Sequence, residues 1–243
     1  MIYCISDIHG CYDEFMGLLK KIKFNPASDT LYILGDVIDR GEEPLKCLQY
    51  IMETKNICLI MGNHEQMMLD YYAKTDYNWL RNGCSGMKRQ FNKLPKREQD
   101  IIFKYLRGRP YYKTIGVKGR RYFLSHAGLA AGIPFKYQTP EDLTWSREEF
   151  HDFSALKSHI CIFGHTPTPN LNPDEFSCGV WFDTRYEDKI CIDSGCIWGG
   201  ALACLRLDDG KIFYVKSAQG RAAKYTIGEA HFPEKFFQKE IEQ

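Results

Sequence analysis

Six side chains between positions 7 and 165 offer carboxylate, imidazole and amide oxygen with no thiolate: Asp7, His9, Asp36, Asn63, His126 and His165. Such a mixed nitrogen and oxygen set suits manganese, iron, zinc or nickel, and the imidazoles argue against calcium, which takes oxygen ligands. One ion has no use for six ligands drawn from five places in a chain. Two ions about 3.5–4 Å apart do, if one carboxylate bridges them. The assignment that follows puts Asp7, His9 and Asp36 on the first metal and Asp36, Asn63, His126 and His165 on the second, with Asp36 as the bridge. Water shared by two such ions is acidic enough to supply hydroxide near neutral pH.

Three neighbours extend this chemistry toward phosphate. Arg40 follows Asp39 in Gly35-Asp36-Val37-Ile38-Asp39-Arg40-Gly41, and a guanidinium matches phosphate with paired N–H donors. Asn63 is expected to touch the phosphate as well as a metal. His64 stands beside Asn63 with no metal role assigned; it is expected to protonate the leaving oxygen, with Asp39 holding its other ring nitrogen and raising its pKa. Each piece alone has a plainer reading. An isolated Asp-x-His is usually a turn, Gly-Asn-His-Glu can open a helix, and a single histidine is more often a satisfied core residue. Those plainer readings must all hold at once, and four of the seven histidines sit at the ends of apolar runs. His151, His159 and His231 lack that context and are expected to be ordinary surface or packing residues.

The elements that must position these groups are short strands. Ile2-Tyr3-Cys4-Ile5-Ser6 runs into Asp7, Leu31-Tyr32-Ile33-Leu34-Gly35 into Asp36, and Ile57-Cys58-Leu59-Ile60-Met61-Gly62 into Asn63. Tyr122-Phe123-Leu124-Ser125 delivers His126, and Ile160-Cys161-Ile162-Phe163-Gly164 delivers His165. Runs of four to six apolar residues bounded by glycine read as buried strands, whose carboxyl ends form the usual ligand rim of α/β folds.

As an ordered set, Ser6-Asp7-Ile8-His9-Gly10, Gly35 to Gly41, Gly62-Asn63-His64-Glu65, Ser125-His126-Ala127-Gly128 and Gly164-His165-Thr166-Pro167 resemble the signature motifs of the phosphoprotein phosphatase family of calcineurin-like metallophosphoesterases. The resemblance is nearest to the compact bacterial and phage lambda-type Ser/Thr phosphatases. It implies a four-layer α-β-β-α sandwich of two mixed sheets flanked by helices. It also implies that Arg147, in Trp145-Ser146-Arg147, is a second phosphate-binding arginine. Trp79-Leu80-Arg81-Asn82-Gly83 is similar to a segment near the mouth of the site, and Ile192-Asp193-Ser194-Gly195-Cys196 to a late strand and turn that gives Asp193 a structural role. Ser6 and Cys84 stand where many members carry glycine.

Composition sets bounds. At 243 residues, 44% hydrophobic and 26% charged, the chain suits one α/β domain with a well-buried core. Its net charge of +1 gives no global field for nucleic acid, so attraction for phosphate must come from the metals, Arg40 and Arg147. Ten cysteines form no Cys-x-x-Cys pair, and several lie inside apolar runs where a thiol acts as a small hydrophobe. With a first strand at Ile2 and no stretch of membrane-spanning length, the expectation is a cytoplasmic protein without membrane or nucleic-acid partners.

Between the strands, Asp13 to Lys23 reads as an amphipathic helix ended by Asn25-Pro26, and Pro44 to Thr54 as another, a β-α-β-α-β opening that implies a parallel sheet. Residues 66–110 read as a mostly helical, cap-like insertion, with a helix from Pro95 to Leu106. Lys118-Gly119-Arg120 joins a hairpin. Later strands at Trp181–Thr184, Lys189–Ile192, Ala201–Leu207 and Lys211–Val215 are expected in a second, mixed or antiparallel sheet. The tail 217–243 is polar until Phe232, Phe236, Phe237 and Ile241, which suggest a short docking helix.

The expected activity is metal-dependent hydrolysis of phosphoserine and phosphothreonine in proteins, by in-line attack of a hydroxide bridging two divalent ions. Manganese is expected first, with iron, zinc or nickel as alternatives, and the partner is a phosphoprotein or phosphopeptide, with a monomer compatible with the sequence. Two other readings remain: a hydrolase of dinucleoside polyphosphates, which Gly10-Cys11-Tyr12-Asp13 and Cys196-Ile197-Trp198-Gly199-Gly200 resemble, and an inactive scaffold of the same fold.

Overall fold

The computed structural model describes residues 1–154, 158–172, 174–219, 225–227 and 233. The chain opens with β1 (Ile2–Ile5), α1 (Tyr12–Ile22), β2 (Thr30–Leu34), α2 (Pro44–Glu53) and β3 (Ile57–Ile60), the expected alternation. Helix α1 buries Phe15, Leu18, Leu19 and Ile22 and stops where Lys23 turns left-handed. Pro44 starts α2 at the position where its missing N–H costs no helical hydrogen bond. Three further helices follow: α3 (Asn63–Ala73), α4 (Ser85–Phe91) and α5 (Lys96–Arg107).

The second half contains β4 (Tyr112–Val117), β5 (Arg120–Ser125), α6 (Pro140–Trp145), α7 (Glu148–His151), β6 (Ile160–Phe163), β7 (Trp181–Phe182), β8 (Lys189–Cys191), β9 (Ala201–Arg206) and β10 (Ile212–Lys216). Lys118 and Gly119 between β4 and β5 both have positive φ, the geometry that two-residue hairpin loops demand.

Two mixed five-stranded sheets result, in the orders β10-β9-β1-β2-β3 and β4-β5-β6-β8-β7. Within them β1, β2 and β3 run parallel, as do β5, β6 and β8. The sequence placed residues 201–215 in the second sheet; β9 and β10 instead join the first, β9 antiparallel to β1 and β10 antiparallel to β9. Two physical causes act together. Pairing with β9 covers the open edge of β1. The alternation in β9 also suits a strand buried on both faces, because Leu202 and Cys204 meet the helix-side core while Ala203 and Leu205 meet the other sheet.

Helices α1 to α5 cover the outer face of the first sheet, where Met68, Trp79, Met87, Phe91, Ile102 and Leu106 pack into the same core as β1 and β2. A second apolar layer, including Leu34, Ile60, Leu124, Ile162 and Ile190, fills the space between the sheets. Leu143 of α6 and Phe150 of α7 pack on the far side of the second sheet. Helix formation begins at Asn63, three residues before the expected insertion. Phe232, Phe236, Phe237 and Ile241 of the expected tail helix lie outside the described residues. Among the described residues, no helix is long and apolar enough to cross a membrane.

Candidate metal centre

Asp7 follows β1, Asp36 follows β2, Asn63 follows β3, His126 follows β5 and His165 follows β6, so all five lie just beyond the carboxyl ends of parallel strands. Hydrogen bonds sew the two sheet rims together. The amide of His165 donates to Asp7 Oδ2 at 3.0 Å, and His126 Nδ1 donates to the Leu34 carbonyl at 2.7 Å.

The loops carrying these groups are strained. Of the eleven non-glycine residues with positive φ among the described residues, six are Asp7, His9, Asp36, Asp39, Arg40 and His165. Each such conformation costs of order 1–3 kcal/mol and persists only where the surroundings over-determine it. Close backbone approach is part of that determination: a Cβ on Gly62 would lie 2.3 Å from Asp36 Oδ1, and one on Gly164 2.2 Å from Asp7 Oδ2.

Glu65 supplies the rest. Its fully buried carboxylate accepts from the amides of Asp36 and Val37 at 2.9 Å, Gly62 at 3.1 Å and Ile38 at 3.3 Å. One side chain of α3 thereby holds the whole turn that presents Asp36.

The donor atoms converge. His126 Nε2 lies 2.9 Å from Asn63 Oδ1, 3.1 Å from His165 Nδ1 and 3.4 Å from Asp36 Oδ2. On the other side of Asp36 Oδ2, His9 Nε2 stands at 3.5 Å and also 4.0 Å from Asp7 Oδ1. The His9 ring is fixed by Nδ1 donating to the Ile38 carbonyl at 2.9 Å, which turns Nε2 toward the carboxylates. Ligand atoms of Asp36, His126 and His165 lie within 4.8 Å of one another, as do those of His9, Asp36 and His64. Asp36 belongs to both groups, the position of a bridge.

The electrostatics follow from this crowding. Burial pushes the Asp36 carboxyl up, but His126 and His64 outweigh it and hold it well below its usual value. For His126, burial opposes the charged ring, yet the Asp36 carboxylate raises it to about 10. Asp7 is pushed up to about 6, by burial first and by the charge of Asp36 after it. His9 is held well below its ordinary value by burial and then by His64; His165 by burial and then by His126. Both rings therefore offer lone pairs.

The residues fit a pair of divalent cations. Asn63 turns an oxygen, not an N–H, toward both Asp36 oxygens, at 3.1 and 3.2 Å. Without a cation the amide gains by turning its NH2 inward; with one, the oxygen is the correct end. His165 Nε2 is buried without a hydrogen-bond partner among the described residues, again a donor set arranged for something other than protein.

Residues 1–199 match the family model described as calcineurin-like phosphoesterase. The chain belongs to the calcineurin-like phosphoesterase family. A symmetrical bis(5'-nucleosyl)-tetraphosphatase of Nitrosospira multiformis is 24% identical over 284 residues, covering 92% of this chain and 98% of that protein. Serine/threonine-protein phosphatase 1 of Salmonella typhimurium is 30% identical over 213 residues, covering 85% of this chain and 91% of its own. Among solved structures, a provisionally assigned diadenosine tetraphosphatase superposes with a TM-score of 0.69 at 21% identity, over 90% of this chain and 94% of that one.

In this metallophosphoesterase the remaining predicted groups take distinct places. His64 Nδ1 lies 2.7 Å from Asp39 Oδ2, while its Nε2 stands 3.8 Å from Asp36 Oδ2 with no hydrogen-bond partner among the described residues. Arg40 joins the cluster, one N–H reaching His9 Nε2 at 2.5 Å. Arg147 stays on the rim, where it donates to Thr166 Oγ1 at 3.2 Å, one residue beyond His165. Asp193 is buried beside Asp7, which with burial drives its carboxyl well up, and it accepts from the Gly195 amide at 3.0 Å. His151 packs against Phe163 and Trp181, and His159 against Phe135, both outside the metal cluster.

Two functional residues escaped the sequence reading. In the sequence Glu65 is only the last residue of Gly62-Asn63-His64-Glu65, with no role, and its reach back to Asp36 is a tertiary contact that periodicity does not encode. Trp79 lay in a segment placed near the mouth, yet its indole is fully buried and donates to Asp39 Oδ2 at 2.7 Å. The adjacent Gly83 carbonyl accepts from the Arg40 amide at 3.0 Å, so this segment braces both Asp39 and Arg40.

Proposed function

We propose that this phosphoesterase hydrolyses a phosphoanhydride of a dinucleoside polyphosphate of the bis(5'-nucleosyl)-tetraphosphate type. Hydrolytic chemistry is supported chiefly by Asp36, shared between two groups of ligand atoms, with the His64–Asp39 pair beside it. The substrate class draws its support from the near full-length likeness to the tetraphosphatase of Nitrosospira multiformis. Two divalent ions, held by Asp7, His9, Asp36, Asn63, His126 and His165, would supply Lewis acidity and an acidified water.

The chain's own residues do the rest. Arg40 and Arg147 would bind phosphoryl oxygens from two sides, Arg40 from the cluster and Arg147 from the rim. Asp39 holds Nδ1 of His64, so that a proton on Nε2 faces the cluster, where a leaving oxygen would receive it. Asn63 keeps its oxygen turned toward Asp36 and its amide N–H groups outward, where they could meet phosphate.

Hydrolysis of phosphoserine and phosphothreonine in proteins is the second reading, favoured by the 30% likeness to the Salmonella protein phosphatase and by the paired arginines. Turnover of diadenosine tetraphosphate, phosphoserine and phosphothreonine peptides by metal-reconstituted protein decides between them. Preference for phosphopeptide by tenfold or more in kcat/KM would reverse the order. All ten cysteines are free thiols, which supports a reducing, cytoplasmic setting.

A further inference from the structure

We propose that the cleft beside Arg40 is a nucleoside subsite, in which the indole of Trp198 stacks on a base of the substrate. The inference rests on the dinucleotide reading above and adds where the base goes.

Trp198 is held out on purpose-built backbone. Gly195 and Gly199, both left-handed, bracket the short turn Cys196–Trp198, and buried Cys196 anchors that turn in the core. The indole nevertheless remains 55% exposed. Exposure of one ring is ordinary; what singles out Trp198 is that it combines exposure with a place against Arg40 and in the wall of a cleft. Its face lies 5.3 Å from the guanidinium carbon of Arg40. That contact restrains the guanidinium, one N–H of which reaches His9 Nε2 while the others could meet phosphate.

The adjoining cleft has a volume of about 200 Å³ and is lined by Pro167, Pro169, Asn170, Gly195, Trp198 and Tyr225. Two of its lining residues tie it to the site: Pro167 lies two positions beyond His165, and Trp198 carries the ring against Arg40. Two prolines give stiff apolar walls, two aromatic rings give stacking faces, and the Asn170 amide can both donate to and accept from a base edge. A phosphate on the metals with its next phosphate on Arg40 directs the rest of a nucleotide into this cleft. A phosphoserine peptide offers a planar group there only when a neighbouring residue is aromatic, whereas a nucleotide always carries its base.

The test uses full-length, metal-loaded protein with diadenosine tetraphosphate and with p-nitrophenyl phosphate, which has no base. W198A is expected to lower kcat/KM for the dinucleotide about tenfold more than for p-nitrophenyl phosphate, chiefly through KM, and W198F to recover most of the difference. Equal losses on both substrates, the sign of a ring that only supports Arg40, would overturn the proposal. Inhibition of p-nitrophenyl phosphate hydrolysis separates the subsite from the substrate reading. In W198A and Y225A the inhibition constant of ADP should rise about tenfold, and that of pyrophosphate much less. A wild type that ignores diadenosine tetraphosphate but shows this ADP effect keeps the subsite and removes the dinucleotide reading. If ADP and pyrophosphate respond equally to W198A, the subsite is wrong whatever the enzyme cleaves.

Discussion

His64 Nδ1 and Trp79 Nε1 both donate to the same oxygen of Asp39, each at 2.7 Å, and all three side chains are fully buried. Asp39 thus links His64, the proposed acid, to the segment that follows α3. Burial pushes its carboxyl up, while the His64 and Trp79 hydrogen bonds oppose that rise. The pair resembles an orienting carboxylate on a general acid, and each partner can be removed separately.

Asp39→Asn should leave the metal ligands in place but replace the charged acceptor that orients His64 through Nδ1. The expected loss in kcat is about 10–100-fold at neutral pH, with two metal equivalents still bound by elemental analysis. Trp79→Phe keeps the aromatic packing and loses one donor, so its loss in kcat should be smaller.

His64→Asn separates leaving groups. An alkoxide departing from serine needs a proton, whereas p-nitrophenolate is stable without one. The loss in kcat/KM should reach about 10²–10⁴-fold on an alkyl phosphate such as a phosphoserine peptide and be far smaller on p-nitrophenyl phosphate and on diadenosine tetraphosphate, whose nucleotide leaves as a stabilised phosphate anion. Similar losses on all three would mean that His64 acts as a metal ligand rather than an acid, as its nearness to His9 and Asp36 permits.

The ligand residues were legible because each follows a strand, and a strand's carboxyl end is recognisable from a short apolar run closed by a small residue. Asp7, Asp36, Asn63, His126 and His165 were placed on that ground alone, and the structure brings them to one rim. What holds them there was not legible. The contact of Glu65 with the Asp36 turn, and of Trp79 with Asp39 across forty positions, depends on how α3 and the following segment lie on the sheet. The same limit misplaced β9 and β10: their alternation marks them as strands, but which edge they cover is decided by the gap beside β1. The exposure of Trp198 was equally hidden, since the motif Cys196-Ile197-Trp198-Gly199-Gly200 carries no periodicity that tells a buried ring from an exposed one.

Glu65→Ala strands four buried amides that now share one carboxylate, each left at a cost of about 1–3 kcal/mol unless water replaces it. The urea midpoint of the metal-free protein should fall by an amount equivalent to about 4 kcal/mol, the upper range for a single substitution. Glu65→Gln keeps one acceptor oxygen and turns an NH2 toward amides, so it should fall between wild type and alanine. If Glu65→Ala melts like the wild type, the carboxylate is not what holds the Asp36 turn.

Metal loading should release protons, and the direction of its pH dependence follows from two shifts. In the metal-free protein His126 titrates at about 10, so at neutral pH its ring carries two protons. Coordination through Nε2 requires one of them to leave, while Nδ1 keeps its proton for the Leu34 carbonyl. Between pH 6 and 10 the affinity for a divalent ion should therefore rise by up to tenfold per unit. Asp7, titrating at about 6, adds a second released proton as pH falls below that value, and the dependence steepens. Calorimetric titration with manganese in buffers of different ionisation enthalpy measures this directly: at pH 7.5 about one proton from His126 adds to any from the acidified water, and at pH 5.5 Asp7 adds a further one. His126→Asn should lower the release at pH 7.5 by about one proton and remove one metal equivalent. Proton release undiminished in that variant would place the titrating group elsewhere in the cluster.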